Sequence, residues 1–579
     1  MENKNSLIKY ISDVFPEKGQ FLAGEPIVMV VEFPKEIKDR KELNLEIKIM
    51  FLDEVTEVFE KKVELPYPKT SLNLNIPPKN DEFKGYGVDI NVYDKGGSFL
   101  QKISSSFDVV DNWRRSTRYG FLSDFYTEEK DDMQDLENMR KFHINLVQFY
   151  DWMYRHDDLI PKSEEFQDLM GRSLNLGTVK SKINTCHRYG MKAIAYGAVY
   201  AASEAFYKEH RDWALYNSSG RVVDFIGKFY IMNISEKCGW HRHIINEYKK
   251  AIKEVDFDGI HMDTYGFPKR AISKINDVER VENLEEHFPI LINNTRNELE
   301  KVKDDICLIF NNVGNWPVDT VARAEQDAMY IEVWDPYERY GHLKKIIDWA
   351  KTYSGNKPVI LAAYLRPYID EAHRDIEKAN MAALLATSVI AANGAYHLIL
   401  GEKNGVLTQG YYVDYSTLDD NFVRQIRNYY DYIIRYSNLL FDHELRDVSM
   451  THICGDNLEY VFENVDISTY GEADKVWIIV KEKPIRKVIN FINLKGNDDY
   501  WNKGKNKVEY VNDITLKIQI ESKVKSVFIT TPDQNMGRPQ KLKYTILDGD
   551  RGKNLVVKVD QIKIWSTLVV EFEENEKLF

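Results

Sequence analysis

The chain opens on short runs in which apolar and polar residues alternate. In "EPIVMVVEF", "LNLEIKIMFL" and "YGVDINVYDKGGSFLQKISSSFDVV", β-branched and aromatic residues recur between clusters of Pro, Gly, Asn and Asp. That is the pattern of strands joined by turns. Val88, Ile90 and Val92 alternate with polar neighbours, which predicts a strand with one buried face. "DKGG", starting at Asp94, is a hairpin turn signal. Together these features predict an immunoglobulin-like β-sandwich over residues 1–112.

The period changes at "RYGFLSDF". Strand-like runs then alternate with amphipathic stretches such as "EEKDDMQDLENMRKF" and "WHRHIINEYKKAIKEV". The strands are read at Tyr119–Leu122, Ile144–Tyr150, Ala193–Val199, Phe257–Asp263, Ile306–Asn311, Met329–Val333, Val359–Tyr364 and Tyr396–Leu400. Eight strand–helix units across residues 113–444 predict a (β/α)8 TIM barrel. An open doubly wound sheet fits less well, because the first strand runs into "GFLSDFYTEE" and not into a Gly-rich phosphate turn. The apolar segment Met381–Leu400 is long enough to span a bilayer. Asn393-Gly394 interrupts it, so it reads as a buried helix, a turn and a buried strand. Strand patterns return over residues 445–579, in "LEYVFENV", "DKVWIIVKE", "VINFINL" and "STLVVEFEE". They predict a C-terminal all-β sandwich, with "KGNDDYWNKGKNK" as an exposed loop. The architecture is multidomain, a barrel flanked by two β-sandwiches.

Composition narrows the class. The 579 residues are 43% hydrophobic and 29% charged, as in ordinary globular proteins. A net charge of −13 argues against nucleic acid or an anionic membrane as partner. Cys186, Cys238, Cys307 and Cys454 lie far apart with no metal-ligand spacing, so they read as buried free thiols. Neither a metal nor another cofactor is expected. "MENKNSLIKYISDVF" lacks the apolar core of a signal peptide. The expected location is cytoplasmic if Met1 is the native start, and secreted if a leader has been removed. Nothing in the pattern specifies an oligomeric state. The 35 Tyr and 10 Trp suit sugar rings, and they suit aromatic cores equally well.

In a barrel the reactive groups belong at the C-terminal ends of the strands. In "DGIHMDTYG", Ile260 and Met262 form the apolar set, so His261 and Asp263 share the inward parity. In "AMYIEVWDPYE" the same alternation turns Tyr330 and Glu332 inward. Asp256 and Asp258 fall at the opposite end of their strand. Two strands thus present one carboxylate each, Asp263 and Glu332, to one open mouth. Such a pair is what glycoside hydrolysis requires. Trp334 beside Glu332 is expected to raise that acid by desolvation and to contact the sugar. Parity alone leaves a structural ion pair or a divalent-metal site level with catalysis. Other strand ends add Asp124, Asp151, Trp152, Tyr154, His156, Tyr196, Asn312 and Trp316 as candidate sugar contacts, together with Arg155, Tyr200, Asn311 and Asn315. His261, two residues below Asp263, reads as a satisfied core histidine. Ser203 and the other serines lack a G-x-S-x-G elbow.

"FLSDF", "YDWMYRHD", "AYGAVYAA", "FDGIHMDTYG" and "YIEVWDPY" resemble glycoside hydrolase family 66, the dextranases and cycloisomaltooligosaccharide glucanotransferases. The resemblance covers nearly the whole chain. It implies a retaining mechanism in which Asp263 is the nucleophile and Glu332 the acid/base, and sugar contacts around "YDWMYRHD". It also implies an α-1,6-glucan or isomaltooligosaccharide as substrate. Cyclising members typically carry an extra carbohydrate-binding module in the later part of the barrel. The interval between strands seven and eight leaves no room for one, so the chain resembles a dextranase most. A cycloisomaltooligosaccharide glucanotransferase and a non-catalytic α-glucan-binding protein are the alternatives.

Overall fold

The computed structural model describes residues 9–577 apart from 70, 370–374, 410–415, 454–455 and 550–551. Cys454 lies outside the described residues, while Cys186, Cys238 and Cys307 are free and buried.

The N-terminal part is two facing sheets. One holds Phe21–Leu22, Phe99–Val110, Phe83–Asp94, Lys41–Phe51 and Glu54–Leu65 in that order; the other holds Asp13–Pro16, Ile27–Glu32 and Ser71–Ile76. Met29, Val31, Ile47, Val88, Ile90 and Val92 fill the space between them. The turn sits at Asp94, whose carbonyl accepts from the Gly97 N–H at 3.1 Å. The strand through Val88 differs from its expected one-sided burial, since Asp89 on the other face is only 5% exposed. A helix of the barrel covers that face: Arg435 donates to both Asp89 oxygens, at 2.7 and 3.0 Å. Gly85 and Gly87 permit this approach, because a Cβ at either would collide with the helix.

The barrel strands are β1 (Tyr119–Leu122), β2 (Leu146–Phe149), β3 (Lys192–Ala198), β4 (Gly259–Asp263), β5 (Cys307–Val313), β6 (Ala328–Glu332), β7 (Val359–Ala362) and β8 (Tyr396–His397). Each pairs in parallel with the next in sequence. The main helices that follow the strands are α1 (Gln134–Lys141), α2 (Leu176–Arg188), α3 (Gly239–Lys250), α4 (Leu284–Leu299), α5 (Val318–Val321), α6 (Tyr340–Ser354), α7 (Ile376–Ala392) and α8 (Asp420–Arg435). Side chains close the seam between β8 and β1. Below, the Ser116 and Tyr396 hydroxyls lie 2.7 Å apart. Above, the buried Glu402 carboxylate accepts from the backbone N–H groups of Ser123 and, at 2.8 Å, Asp124. The expected helix, turn and strand across Met381–Leu400 are α7, a turn with Gly394 at φ 78°, and β8. Among the described residues no helix is long and apolar enough to cross a membrane.

Two further sheets form the C-terminal part around Ile478, Phe491, Leu516, Val557 and Leu568. The stretch "KGNDDYWNKGKNK" is not the exposed loop its composition predicts. Trp501 is 2% exposed and donates from its indole to the Tyr337 carbonyl at 2.6 Å. Asp499 pairs with Arg339 at 2.6 Å, and its carbonyl accepts from the Tyr340 N–H at 2.9 Å. The polar residues are spent on the segment that follows β6, which docks the loop against the barrel.

Candidate active site

The alternation in "GIHMD" sets the orientation of β4. Ile260 and Met262 are fully buried, while His261 and Asp263 reach the cavity at the barrel mouth. At the other end of this segment, Lys303 pairs with Asp256 at 3.0 Å and Asp258 at 3.1 Å. His261 forms the floor, its Nδ1 2.6 Å from the Tyr119 hydroxyl. Burial pushes its pKa down to about 3, so the ring is neutral.

Asp263 accepts two hydrogen bonds. The Tyr196 hydroxyl from β3 donates to Oδ2 at 2.7 Å, and the Asn311 amide from β5 donates to Oδ1 at 2.7 Å. Glu332, ending β6, accepts from the Tyr364 hydroxyl at 3.0 Å and from the same Asn311 amide at 3.3 Å. One NH2 group therefore ties the two carboxylates together. The oxygens it bridges are separated by no more than the sum of the two bonds, 2.7 and 3.3 Å.

Burial, and then the facing Glu332 carboxylate, push Asp263 from 3.8 up to about 7. Burial raises Glu332 as well, against hydrogen bonds from Asn311, Trp334 and Tyr364 that favour its charged form. Trp334 thus acts on Glu332 in the sense opposite to the expected desolvation: its indole is a hydrogen-bond partner. The hydrogen bonds from Tyr196 and Asn311 favour the charged form of Asp263, but burial and the facing Glu332 outweigh them.

A stability prediction follows from the sign of the Asp263 shift. Between pH 3.8 and about 7 the folded state holds this proton more firmly than the unfolded state. Stability therefore falls as pH rises through that window. Asp263→Asn removes the loss. Thermal denaturation is expected to show the variant melting above the wild type at pH 8, with the gain gone at pH 4. A variant less stable than the wild type at pH 8 contradicts the assignment.

The cavity above the pair measures about 570 Å³, the size of a small-ligand site. Three buried polar atoms on its lining, Gln148 Oε1, His156 Nδ1 and Asn311 Oδ1, have no hydrogen-bond partner among the described residues. Buried polar atoms are normally satisfied, so these atoms leave hydrogen-bonding capacity facing the cavity. A larger concavity of about 1330 Å³ lies on the outer surface by α3 and α4, lined by side chains such as Glu236, Arg242 and Asn294. It shares no lining residue with the cavity that holds the carboxylate pair.

A family model described as glycosyl hydrolase family 66 matches residues 16–569. The chain belongs to glycosyl hydrolase family 66. It is 23% identical to a cycloisomaltooligosaccharide glucanotransferase of Niallia circulans, over 97% of this chain and 72% of that protein. It is 23% identical to a dextranase of Streptococcus salivarius, over 84% of this chain and 67% of that protein. The crystal structure of a Paenibacillus sp. cycloisomaltooligosaccharide glucanotransferase complexed with cycloisomaltoheptaose superposes with a TM-score of 0.85. At 22% identity, it covers 96% of this chain and 99% of that one, so the two share their fold.

Of the contacts named from the sequence, the family 66 pocket gathers Asp151, His156, Tyr196, Asn311 and Trp334 beside the carboxylate pair. Others lie elsewhere. Asp124 binds Lys403 at 2.8 Å at the β8–β1 seam. Trp152 is fully buried, donating to the Tyr196 carbonyl at 3.2 Å. Tyr154 packs under the Arg155 guanidinium, 4.0 Å from its ring centre. Trp316 donates to Glu285 at 3.1 Å and packs on Phe288. Asn312 has the outward parity, and its amide donates to the Tyr330 carbonyl at 2.9 Å. Asn311 takes the inward place, in register with Tyr330. The alternation that selects Asp263 and Glu332 also selects Asn311 over Asn312. Gln148 could be found in the same way, as the polar residue within "LVQF". Phe225 and Phe229 come from two- and three-residue strands, too short to show a period.

Proposed function

We propose that this chain is a retaining endo-glycoside hydrolase that cleaves α-1,6-glucosidic linkages of dextran or isomaltooligosaccharides, with some transglycosylation. The observation that carries the reading is the Asn311 amide shared between Asp263 and Glu332. It holds the bridged oxygens closer than the ~6.5 Å at which inverting pairs begin, leaving no room for a water between them and the sugar carbon. In the first step an Asp263 oxygen bonds to the anomeric carbon as the glycosidic C–O bond breaks, and the Glu332 proton passes to the leaving oxygen. In the second, Glu332 takes a proton from water, whose oxygen displaces Asp263 from the anomeric carbon. A sugar hydroxyl in place of that water gives transfer.

A cycloisomaltooligosaccharide glucanotransferase is the second reading, favoured by relatives of that name matching nearly the whole chain. Against it, that alignment runs over 714 positions while this chain has only 579 residues, so the relative carries inserted segments. Between Ala362 and Tyr396, the chain spends most of its interval on α7. Mass analysis of products from dextran separates the two, because cyclic products have no reducing end. Linear products whose new ends are initially α support the hydrolase. Initially β ends overturn the retaining step. Absence of turnover on every α-glucan leaves a non-catalytic glucan-binding protein.

Asn311 acts in this scheme as a positioning residue. Its hydrogen bonds favour the charged form of both carboxylates, so removing them raises both pKa values. Asn311→Ala is expected to lower kcat on the order of 10²-fold. It is also expected to move the acid limb of the kcat/KM profile to higher pH. A fall in rate with an unmoved profile would reduce Asn311 to packing.

A further inference from the structure

A hairpin of Asp224–Phe225 and Phe229–Ile231 reaches over the pocket. The Lys228 N–H donates to the Phe225 carbonyl at 3.2 Å and closes the turn. The two residues between them, Ile226 at φ 52° and Gly227 at φ 68°, both have left-handed backbones. That is the type I′ arrangement, whose first position favours Asn, Asp or Gly. A β-branched residue is disfavoured there by contact between its side chain and its own backbone. Burial does not compensate, because Ile226 is 58% exposed. Its side chain nonetheless lines the catalytic pocket. Fold stability alone gives no reason for a strained backbone carrying an exposed apolar group, and such strain gathers at functional sites.

The surroundings place the hairpin on one rim. Phe225 lies 4.8 Å from Tyr265 and Phe229 lies 4.9 Å from His156, ring centre to ring centre. His156 in turn packs at 5.9 Å on Tyr196, which holds Asp263. The opposite rim is Trp334 and Tyr364, which flank Glu332. On the glycosidase reading the leaving oxygen faces Glu332, which puts the part of the glucan that stays on the enzyme beneath the hairpin.

We propose that Ile226 is a specificity-determining residue that bears on the apolar C–H face of a glucosyl unit on the non-leaving side of the cleft. The inference rests on the glycosidase reading above. Ile226→Asn creates the Asn-Gly pair that this turn favours, so the variant keeps or raises the melting temperature of the wild type. Its kcat/KM on isomaltooligosaccharides falls about tenfold, through KM, with kcat within about twofold. Ile226→Leu retains the apolar contact and stays within about threefold of the wild type. An Asn variant with unchanged kcat/KM on an active enzyme overturns this inference alone. So does a loss of kcat/KM accompanied by a lower melting temperature, which would make Ile226 a packing residue. A wild type with no turnover on any α-1,6-glucan overturns the parent reading and this one with it.

Discussion

Asp263→Asn is expected to lose turnover on an α-1,6-glucan on the order of 10⁴-fold or more, while still binding oligosaccharide. The amide matches the carboxylate in shape and remains within reach of Tyr196 and Asn311. What it lacks is an oxygen able to form the ester with the anomeric carbon. The loss cannot be assigned to misfolding, because the same substitution removes a carboxylate that burial has pushed up to about 7. The variant should therefore be inactive and more stable above neutral pH, a combination that a structural ion pair does not produce. Breaking such a pair would strand a charge and lower stability. Reducing-sugar release and thermal melting on one preparation decide the matter, and undiminished turnover ends the assignment.

Glu332→Gln is expected to cost about 10²–10⁴-fold on natural linkages. The loss depends on the leaving group. A sugar alkoxide needs the proton that Glu332 supplies, whereas an activated phenol departs without it. On an aryl glucoside with such a phenol, formation of the glycosyl-enzyme should survive largely intact. Its breakdown slows, because the glutamine cannot take a proton from water. The signature is a burst of phenol release followed by a slow steady state, with the alkaline limb of the pH profile flattened. Equal losses on dextran and on the aryl substrate would remove Glu332 from the acid role.

That Asp263 and Glu332 reach one pocket was legible in the sequence for a physical reason. An inward position at the end of a buried parallel strand is costly for a carboxylate, and β4 and β6 each place one there beside clean apolar sets. The barrel strands were equally legible, because burial on both faces leaves continuous apolar runs. Their ends were less so. The second strand begins at Leu146 and not at Ile144, since His143 has φ 57° and the Asn145 side chain takes the Arg118 N–H at 2.7 Å. The other pocket-lining residues were the least legible group. Asp124, Trp152, Tyr154, Asn312 and Trp316 have the right chemistry for a sugar cleft. The same chemistry serves a seam ion pair, a buried indole, a cation over a ring, a strand carbonyl and a helix carboxylate. Proximity in sequence to a strand end does not distinguish these uses; the pleat does, as Asn311 and Asn312 show.

The docked stretch around Trp501 gives the C-terminal sandwich a part in chemistry that it never touches. Through Tyr337, Arg339 and Tyr340 it grips the segment that emerges from β6 a few residues after Glu332 and Trp334. The barrel is therefore not a cassette that can be cut out and transplanted. A chimera that exchanged only the last domain between two members of this family would inherit a foreign clamp on the segment that follows Glu332. Substitutions far along the chain, at positions such as Trp501 or Asp499, would act on the segment after β6 while every residue lining the pocket stays fixed.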